Sequence, residues 1–325
     1  MDTRRRSGII AGMPTKIRPP VFENPYRAPG RWWKVAIHMH TTNSDGHLTP
    51  QAAIATYRKL GCDAIAITDH DKLTCVPGHR GRPLLIPALE VSGPVAPHVV
   101  YLGAREKKGN NRLGAQKLQD VIRAVKKQGG LAVIAHPSWS GLADIDLLPL
   151  KGYVGIEIYN NVCADLNGRG KSVEKWDHLL EHGRKVWGLA VDDAHFDTDG
   201  LRGGPGHGWI MVKAPRLTVR SILDAVKHGS FYATQGPFIR SVSSTPGKLR
   251  ITTSPADRVH LVAAGCGSGG TRFARENYSR TSWTFEFIRD KWNVTGYARF
   301  EVVDSRGRTA WSNPLFVRKG GGRFW

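Results

Sequence analysis

The sequence predicts an α/β body followed by a small all-β region. Between about residues 31 and 235, short apolar runs alternate with patterns of helical period, which is typical of strands alternating with helices. Beyond residue 236, apolar runs continue with no convincing helix between them. The chain has 325 residues, of which 40% are hydrophobic and 23% charged, so it is long enough for two domains.

The first 30 residues are predicted to form an extended lead-in, because they hold five prolines and little periodicity. Ordered structure is expected to begin near Trp32. The predicted elements of the body, 31–235, are the strand Val35–His38, the helix Thr49–Leu60 with a Thr cap and Pro50, the strands Ala64–Thr68, Leu84–Leu89 and Val99–Leu102, the helix Gln116–Lys127, the strands Leu131–Ala135 and Val154–Ile158, the helix Val173–Glu181, the strands Val186–Val191 and Trp209–Val212, and the helix Val219–Lys227. This alternation predicts a largely parallel sheet or barrel with helices outside.

Strand-like runs separated by Gly, Pro, Asp and Asn follow Gln235-Gly236-Pro237. They are Phe238–Val242, Leu249–Thr253, Val259–Ala263, Ser282–Phe287, Thr295–Val303 and Ala310–Val317. Together they predict a small C-terminal β-sandwich over 236–318. Residues 319–325 are expected to be a frayed tail.

Composition excludes several classes of protein. No apolar stretch approaches the roughly 20 residues that span a bilayer, and the N-terminus does not resemble a signal peptide. The four cysteines, Cys62, Cys75, Cys163 and Cys266, lack CxxC spacing, which argues against a thiolate zinc site and a disulfide framework. We therefore expect a cytoplasmic protein with no membrane contact.

The formal net charge of +20 is concentrated at the two ends of the chain. Residues 1–34 carry +6 and residues 236–325 carry +9, whereas the longer middle, 35–235, carries only +5. No lysine-rich block or basic stripe with interleaved aromatics is present, so a solubilising surface explains the charge more simply than a nucleic-acid footprint. Nucleic acid is a possible partner but not the favoured one.

Histidines and carboxylates recur where predicted strands end. His38 and His40 end the first strand, and the two-residue period of a strand points both imidazoles to one face. The carboxyl ends of strands are where α/β barrels and parallel sheets build their sites. Later strands end in the same way, and two further donors lie close by, Asp45 in the turn after His40 and His98 at the opening of the strand after Glu90. The donors at the later strand ends are His70, Glu90, His136, Asp193 and His195.

Nitrogen and oxygen donors without thiolates suit divalent ions such as Zn, Mn or Fe. A single histidine at a strand end is more often structural, so the prediction depends on the convergence of many donors. These donors outnumber what one tetrahedral ion can use, and burying so many titratable groups without metal would be costly. The sequence therefore predicts a site with more than one ion.

Two sets of motifs carry a family resemblance. The first resembles the PHP (polymerase and histidinol phosphatase) superfamily and runs in order from residue 38 to 195: HMHTTNSDG, ITDHD, ALEVS, PHVVYLG, IAHPSW and VDDAH. The second is similar to the CehA/McbA branch of carbaryl-hydrolase-like metallohydrolases: NPYRAPGRWW, GIEIYNN, SFYATQGPFI and TAWSNPLFV. Val35-Ala36 stands where that branch more usually has Gly-Asn, a departure that removes no ligand.

The resemblance implies a distorted (β/α)7 barrel that holds two or three divalent ions. Carried over position by position, it implies a first ion held by His38, His40, Glu90 and Asp193, a second held by Glu90, His98 and His136, and a third held by Asp45, His70 and His195. In this interpretation Glu90 and Asp193 are the catalytic residues, acting with metal-activated water.

Neighbouring residues are candidates for supporting roles. Asp69 and Asp192 adjoin ligand positions and either orient imidazole N–H groups or cap the following turn. Asn160 ends a strand on the site side and is a candidate for substrate contact. Arg169 and Arg202 lie in glycine-rich loops where either could bind an anionic group.

The sequence leaves several functions open. No serine or cysteine nucleophile is indicated, and three divalent ions against three carboxylates leave a local charge of about +3, which favours an anionic, phosphorylated substrate. The first hypothesis is a metal-dependent phosphoesterase acting on a small phosphate mono- or diester. The alternatives are a carbamate, ester or amide hydrolase, a nuclease, and a non-enzymatic binding module. The complete set of donors argues against the binding module.

Overall fold

The computed structural model describes residues 19–92, 97–105, 117–197, 204–264, 271–273, 280–287 and 294–318. These residues form a mixed α/β protein with three β-sheets. The predicted tail, 319–325, lies outside the described residues, as do residues 1–18 of the predicted lead-in.

The strands are numbered in chain order. The body contains β1 (Phe22–Glu23), β2 (Arg31–Ala36), β3 (Ala64–Ile65), β4 (Leu84–Leu85), β5 (Ala88–Val91), β6 (Val99–Leu102), β7 (Leu131–Ile134), β8 (Gly155–Asn160), β9 (Trp187–Val191), β10 (Trp209–Ala214) and β11 (Phe231–Thr234). The C-terminal region contains β12 (Ile239–Thr245), β13 (Lys248–Ala256), β14 (Arg258–Ala263), β15 (Thr271–Phe273), β16 (Arg280–Glu286), β17 (Tyr297–Val303), β18 (Thr309–Ser312) and β19 (Leu315–Val317).

The helices lie in the body. They are α1 (Pro50–Lys59), α2 (Leu118–Lys127), α3 (Asp144–Leu147), α4 (Asn161–Asn167), α5 (Val173–Glu181) and α6 (Val219–Lys227), with a 3-10 turn at Pro25–Arg27. The predicted start of α1 is confirmed, since the Thr49 side chain accepts from the Ala52 N–H and Pro50 occupies the first turn. No helix of the described residues combines the length and apolar character needed to cross a bilayer.

Two sheets carry the strands whose ends bear the predicted donors. The longer sheet has the order β1-β19-β17-β18-β11-β10-β2-β3-β4, with β14 beside β17 and β15 beside β14, and the second has the order β5-β6-β7-β8-β9. The pairs β2–β3, β3–β4, β7–β8 and β8–β9 are parallel, whereas β5–β6, β6–β7 and β2–β10 are antiparallel. The predicted largely parallel arrangement is therefore only partly present. The loop between β5 and β6, residues 92–98, is too short for the crossover that parallel strands need.

Backbone contacts beyond the paired strands join the longer sheet to both edges of the second sheet. Met39 forms an isolated parallel bridge with Ala194, and His70 forms another with Glu90. The His40 N–H donates to the Ala194 carbonyl over 2.9 Å. The segments that follow β2, β3 and β9 consequently lie beside one another and beside β5.

The chain passes from the longer sheet to the second sheet at Pro87. We predicted one strand over Leu84–Leu89, but the structure places β4 in the longer sheet and β5 in the second. A proline has no N–H to donate to a strand ladder, so the run is interrupted at this residue.

The C-terminal strands extend the longer sheet. Strand β18 pairs with β11 of the body and with β17, so the sheet is continuous between the two regions. The third sheet, β12-β13-β16, shares an apolar core with this extension that includes Leu249, Ile251, Phe300 and Val302.

Part of the predicted lead-in packs on the same region. Phe22 and Glu23 pair with β19. Tyr26 is 3% exposed, and its hydroxyl donates to the Phe231 carbonyl over 3.0 Å. Residues 19–30 therefore do not simply extend away from the body, because Phe22 and Tyr26 bury aromatic surface against it.

Candidate metal centre

The nine predicted metal ligands surround one cavity of about 280 Å³. His38 is fully buried, and the other eight line the cavity: His40, Asp45, His70, Glu90, His98, His136, Asp193 and His195. His98 opens β6 instead of ending a strand, yet it lies with the others. Because β5 and β6 are antiparallel, with Val91 opposite Val99, the start of β6 is beside the end of β5.

Glu90 lies at the centre of the imidazoles. Its Oε2 atom is 3.2 Å from His38 Nε2, 3.2 Å from His40 Nε2 and 3.3 Å from His70 Nδ1. Its Oε1 atom is 3.0 Å from His98 Nδ1 and 3.1 Å from His136 Nε2. One buried carboxylate thus contacts five imidazole rings, which is how a ligand shared between ions would be placed.

The predicted first ligand set forms a compact group of four donor atoms. His38 Nε2 and His40 Nε2 are each 3.1 Å from Asp193 Oδ1 and 3.2 Å from Glu90 Oε2, and they are 3.2 Å from each other. A tetrahedral ion with bonds of about 2.0–2.1 Å separates its ligands by about 3.3–3.4 Å. The four donors are therefore spaced as an ion of zinc size requires.

Two further groups of donors are compact. Within each group, the candidate ligand atoms all lie within 4.8 Å of one another. One consists of His40, Asp45, His70 and His195, and so contains the predicted third set. The other consists of His70, Glu90 and His98. It differs from the predicted second set, which has His136 in place of His70, although His136 also contacts Glu90.

Two of the donors have unusual backbone conformations. His136 has φ 28° and Asp193 has φ 55°, values in the left-handed region that residues other than glycine rarely adopt. Hydrogen bonds hold both: the His136 N–H donates to Glu157 Oε2 over 2.8 Å, and the Asp193 N–H donates to the His38 carbonyl over 3.1 Å. Such strained positions cluster at functional sites.

Glu157 of β8 contacts several residues of the centre, although we predicted no role for it from the sequence. It is 1% exposed, and its Oε1 atom lies 2.6 Å from His38 Nδ1. Its Oε2 atom accepts from the His136 N–H and from Asn160 Nδ2, over 2.8 and 2.9 Å. Because Glu157 engages Nδ1, His38 presents Nε2 to Glu90 and Asp193, as an oriented metal ligand would. The signal in the sequence was a glutamate inside the apolar strand GIEIYN.

Asp69 and Asp192 hold loops in place. In the described residues, none of the hydrogen bonds of either side chain involves an imidazole ring. Asp69 accepts from the Thr41 N–H and from the side chains of Thr41, Ser44 and Thr74. Asp192 accepts from the backbone N–H groups of Gly206, His207 and Gly208 and from the Tyr57 hydroxyl. These backbone contacts are with residues distant in the chain, so they match neither of the two roles that the sequence left open, orienting an imidazole N–H or capping the following turn.

Of the three candidate substrate contacts, the structure describes Asn160 and Arg169, and neither lines the cavity. Asn160 is 1% exposed, and its amide donates to Glu157 Oε2 and, over 3.0 Å, to Asp193 Oδ2. It therefore lies beneath the donors and helps to position Asp193. Arg169 is exposed and does not line the cavity. Arg202 lies outside the described residues.

The buried histidines and carboxylates strongly change one another's pKa values. Burial alone lowers the pKa of His38, but the carboxylates of Asp193, Glu157 and Glu90 outweigh burial and hold that pKa well above its usual range. Burial also lowers the pKa of His40, yet hydrogen bonds with Asp193 and Glu90 raise it to about 9. Burial raises the pKa of Glu90, but the imidazoles, His38 foremost, bring it well below its ordinary value. Metal binding at this site must therefore displace protons from histidine.

The residues present fit divalent metal ions. Imidazole nitrogens and carboxylate oxygens are the ligands that Zn, Mn and Fe share. His70 Nδ1 is buried without a hydrogen-bond partner, 3.3 Å from Glu90 Oε2. A buried polar atom without a partner is costly, and an ion would satisfy this one.

Comparison with known families identifies the centre's domain. Residues 36–197 match the family model of the PHP domain, and this range contains all nine donors. The chain therefore contains a PHP domain.

The individual proteins similar to this chain either match only a short stretch of it or share less than a fifth of its residues. The 5'-3' exoribonuclease Rnm of Salmonella typhimurium is 36% identical over 73 residues, which span 20% of this chain and 25% of that protein. A two-domain protein from Bacteroides vulgatus, containing a predicted PHP-like metal-dependent phosphoesterase, is 18% identical with a TM-score of 0.49, over 90% of this chain and 95% of that chain. An amidohydrolase from Chromobacterium violaceum, with bound sulfate and no metal, is 18% identical with a TM-score of 0.39, over 59% of this chain and 96% of that chain. TM-scores below 0.5 at this identity do not establish a common fold.

Proposed function

We propose that the protein is a metal-dependent hydrolase of the PHP type that acts on a small phosphate mono- or diester. The observation that carries this proposal is the environment of Glu90, whose two oxygens contact five imidazoles at the base of a cavity. The match of residues 36–197 to the PHP domain supports it. The proposed ligands are the nine predicted donors, with two or three ions among them.

Divalent ions at this site would act as Lewis acids and would activate water for attack. The protein's own contribution is positioning. Glu157 fixes the orientation of His38, Asn160 fixes Asp193, and Asp69 holds the loop that carries Asp45. In this proposal Glu90 and Asp193 are the catalytic carboxylates, because both are buried and both contact His38 and His40, whereas Asp45 is half exposed.

The proposed substrate class follows from charge. Two or three divalent ions against Asp45, Glu90, Glu157 and Asp193 leave a site that is neutral to positive by about two charges. A phosphate ester supplies the complementary negative charge, whereas a neutral carbamate or ester does not. The carbamate, ester or amide hydrolase remains the alternative suggested by the CehA/McbA likeness.

We also infer finer features of architecture and family. The motifs around residues 24–33, 155–161, 230–239 and 309–317 support the CehA/McbA branch. The bridges that join the two sheet edges support a (β/α)7 barrel over 31–235, and the core shared by β13 and β17 supports a β-sandwich over 236–318. A cytoplasmic location is likewise a proposal.

A nucleolytic function is the second candidate, and the stretch similar to an exoribonuclease favours it. The basic ends of the chain supply charge for a polyanion. Deletion of residues 1–18, which carry five basic and one acidic residue, spares the packed Phe22 and Tyr26. A nuclease predicts strongly salt-dependent oligonucleotide binding that this deletion weakens.

The test is hydrolysis by protein stripped with a chelator and reloaded with Zn, Mn or Fe(II). Phosphate mono- and diesters, aryl carbamates, aryl esters and 5'-phosphorylated oligonucleotides are compared. We expect phosphate esters to be cleaved after reloading only, and Asp193→Asn to lose at least about 100-fold in kcat/KM. The exposed Asp224→Asn serves as the matched control. Turnover of carbamates alone, or equal turnover in stripped protein, contradicts the proposal.

A further inference from the structure

Part of the cavity lining is apolar and lies outside the set of predicted donors. It is formed by Trp139, Val162, Cys163 and Leu166. In the described residues, the large hydrophobic side chains that remain exposed are Trp139, Ile145 and Leu166, at 37%, 80% and 46%. Two of these three line the cavity beside the predicted metal centre.

Trp139 is held next to the donors by the loop after β7. Its ring centroid lies 5.0 Å from that of His136, at an interplanar angle of 79°, and 6.3 Å from that of His98. The loop is fixed on α5's side, because the Ser138 N–H donates to Ser172 Oγ over 3.2 Å and the Ser172 hydroxyl donates to Ser138 Oγ over 2.8 Å. The indole therefore has a defined place at the edge of the centre.

Helix α4 supplies the remaining apolar surface. Val162 and Leu166 are four residues apart and so share one helix face, and both line the cavity. The Asn160 side chain caps this helix by accepting from the Cys163 N–H over 3.1 Å, so the same residue positions α4 and Asp193. The apolar face of α4 is thus fixed relative to the donors.

We propose that the substrate carries a planar aromatic group, which stacks on Trp139 and packs against Val162 and Leu166 while its phosphate lies at the metal centre. This inference rests on the proposed phosphoesterase function for the position of the phosphate. Exposed apolar side chains inside a polar cavity mark a surface that a ligand covers. Two classes of ester share this chemistry, those of nucleosides and those of simple aryl alcohols.

The experiment measures binding to the metal-loaded full-length protein by calorimetry with probes that cannot be hydrolysed. The probes are the phosphonate analogues of adenosine 5'-monophosphate, phenyl phosphate and ribose 5-phosphate, in which a carbon atom replaces the bridging ester oxygen. We expect at least one aromatic probe to bind about 10-fold to 100-fold more tightly than the ribose probe, since stacking on an aromatic side chain has this magnitude. Preference for the adenosine or the phenyl probe identifies the class.

Variants separate stacking from simple bulk. Trp139→Leu should reduce the ratio of aromatic to ribose affinity to near one, and Trp139→Phe should keep most of it. Leu166→Ala should lower the ratio by about 3-fold to 10-fold, and Ile145→Ala, outside the cavity, should leave it unchanged. Metal content of each variant shows that the ligands are undisturbed.

Equal affinity for all three probes in the unmodified protein overturns the inference, as does a ratio that Trp139→Leu does not change. Turnover of the three parent phosphate esters is recorded separately. An aromatic preference in binding without phosphate release contradicts the proposed function alone. Phosphate release without aromatic preference contradicts this inference alone.

Discussion

Glu157 is a buried residue on which several parts of the centre depend. Both of its oxygens accept hydrogen bonds. Oε1 accepts from His38 Nδ1, and Oε2 accepts from the His136 N–H and from the Asn160 side-chain amide. An amide in its place would present an NH₂ group to a donor in either orientation. The carboxylate therefore sets the direction in which the His38 ring faces.

Replacing Glu157 with Gln should weaken metal binding by about 10-fold to 100-fold, because the support of His38 is disturbed while the ligands themselves remain. Competition with a fluorescent chelator measures the affinity. Glu174→Gln, on the exposed surface of α5, is the control. Unchanged affinity in the Glu157 variant would show that His38 is oriented by other means.

The convergence of the candidate donors could be predicted at the residue scale, but the contacts that support them could not. Each donor follows or borders a strand, so the strand pattern alone brought His38, Asp193 and the others to one edge. The role of Glu157 depends on which residue lies across from it, 119 positions earlier in the chain, and no local pattern contains that information. The burial of Asn160 likewise depends on tertiary contacts. The local pattern did not reveal it, and we therefore predicted that this residue contacts substrate.

The loop that follows His40 shows how an element positions a ligand. A Cβ atom on Gly46 would lie 2.4 Å from the His40 carbonyl oxygen and 2.7 Å from the Thr41 nitrogen. The absence of a side chain at this position lets the loop fold back on His40. Asp45, the neighbouring residue, consequently reaches His70 and His195.

Gly46→Ala should displace this loop and cost about 1–3 kcal/mol of stability, since backbone atoms block the added methyl group. The displacement should also weaken the donor group that contains Asp45. Chemical denaturation and metal titration measure the two effects. Gly204→Ala, where the nearest atom is 3.8 Å away, should cost much less. Equal effects of the two substitutions would refute the role assigned to the loop.

Helices with strong apolar periodicity matched their predictions, whereas a helix without it did not. Helix α6 spans the predicted Val219–Lys227. Helix α4 was not predicted, because its sequence, NVCADLN, holds poor helix formers. It begins at the Asn160 cap and ends at Gly168, whose φ of 76° is the left-handed conformation that closes helices.

At the scale of the whole molecule, buried polar contacts join the PHP domain to the C-terminal strands. Arg299 of β17 is 1% exposed, donates to both carboxylate oxygens of Asp177 in α5 over 2.7 and 2.6 Å, and also pairs with Glu301. The Asn313 side chain accepts from the Gly188 N–H and donates to the Phe231 carbonyl. These contacts tie the two regions through an arginine and an asparagine that are almost completely buried.

Arg299→Ala should destabilise the protein by about 2–4 kcal/mol, because it leaves a cavity and strips Asp177 and Glu301 of their partner. The partial exposure of those two carboxylates keeps the cost below that of a fully buried pair. Thermal or chemical unfolding measures the change. Arg308→Ala removes an ion pair whose arginine is 45% exposed and should cost less than about 1 kcal/mol. A comparable loss in both variants would contradict this interpretation.

Chelation should lower the melting temperature by several degrees, since ions that bind only the folded state stabilise it by mass action. Differential scanning calorimetry with and without chelator measures this shift. Asp193→Asn, which removes a contact to both His38 and His40, should show a smaller shift than the unmodified protein. Identical melting curves in all four conditions would exclude tightly bound metal.

The continuity of the sheet was beyond the reach of sequence patterns. The predicted change from alternating helices and strands to strands alone is present in the described residues, which form no helix after residue 236. Periodicity identifies strands but not their partners, so the pairing of β18 with β11 and the packing of Tyr26 against Phe231 could not be foreseen.

The central claim is that nine side chains, far apart in the sequence, together bind several cations. Anomalous X-ray diffraction from crystals grown with Zn or Mn tests this claim most directly. We predict at least two anomalous peaks around Glu90, one of them within bonding distance of His38, His40 and Asp193. Crystals grown at saturating metal that show no peak within bonding distance of Glu90 would contradict this claim.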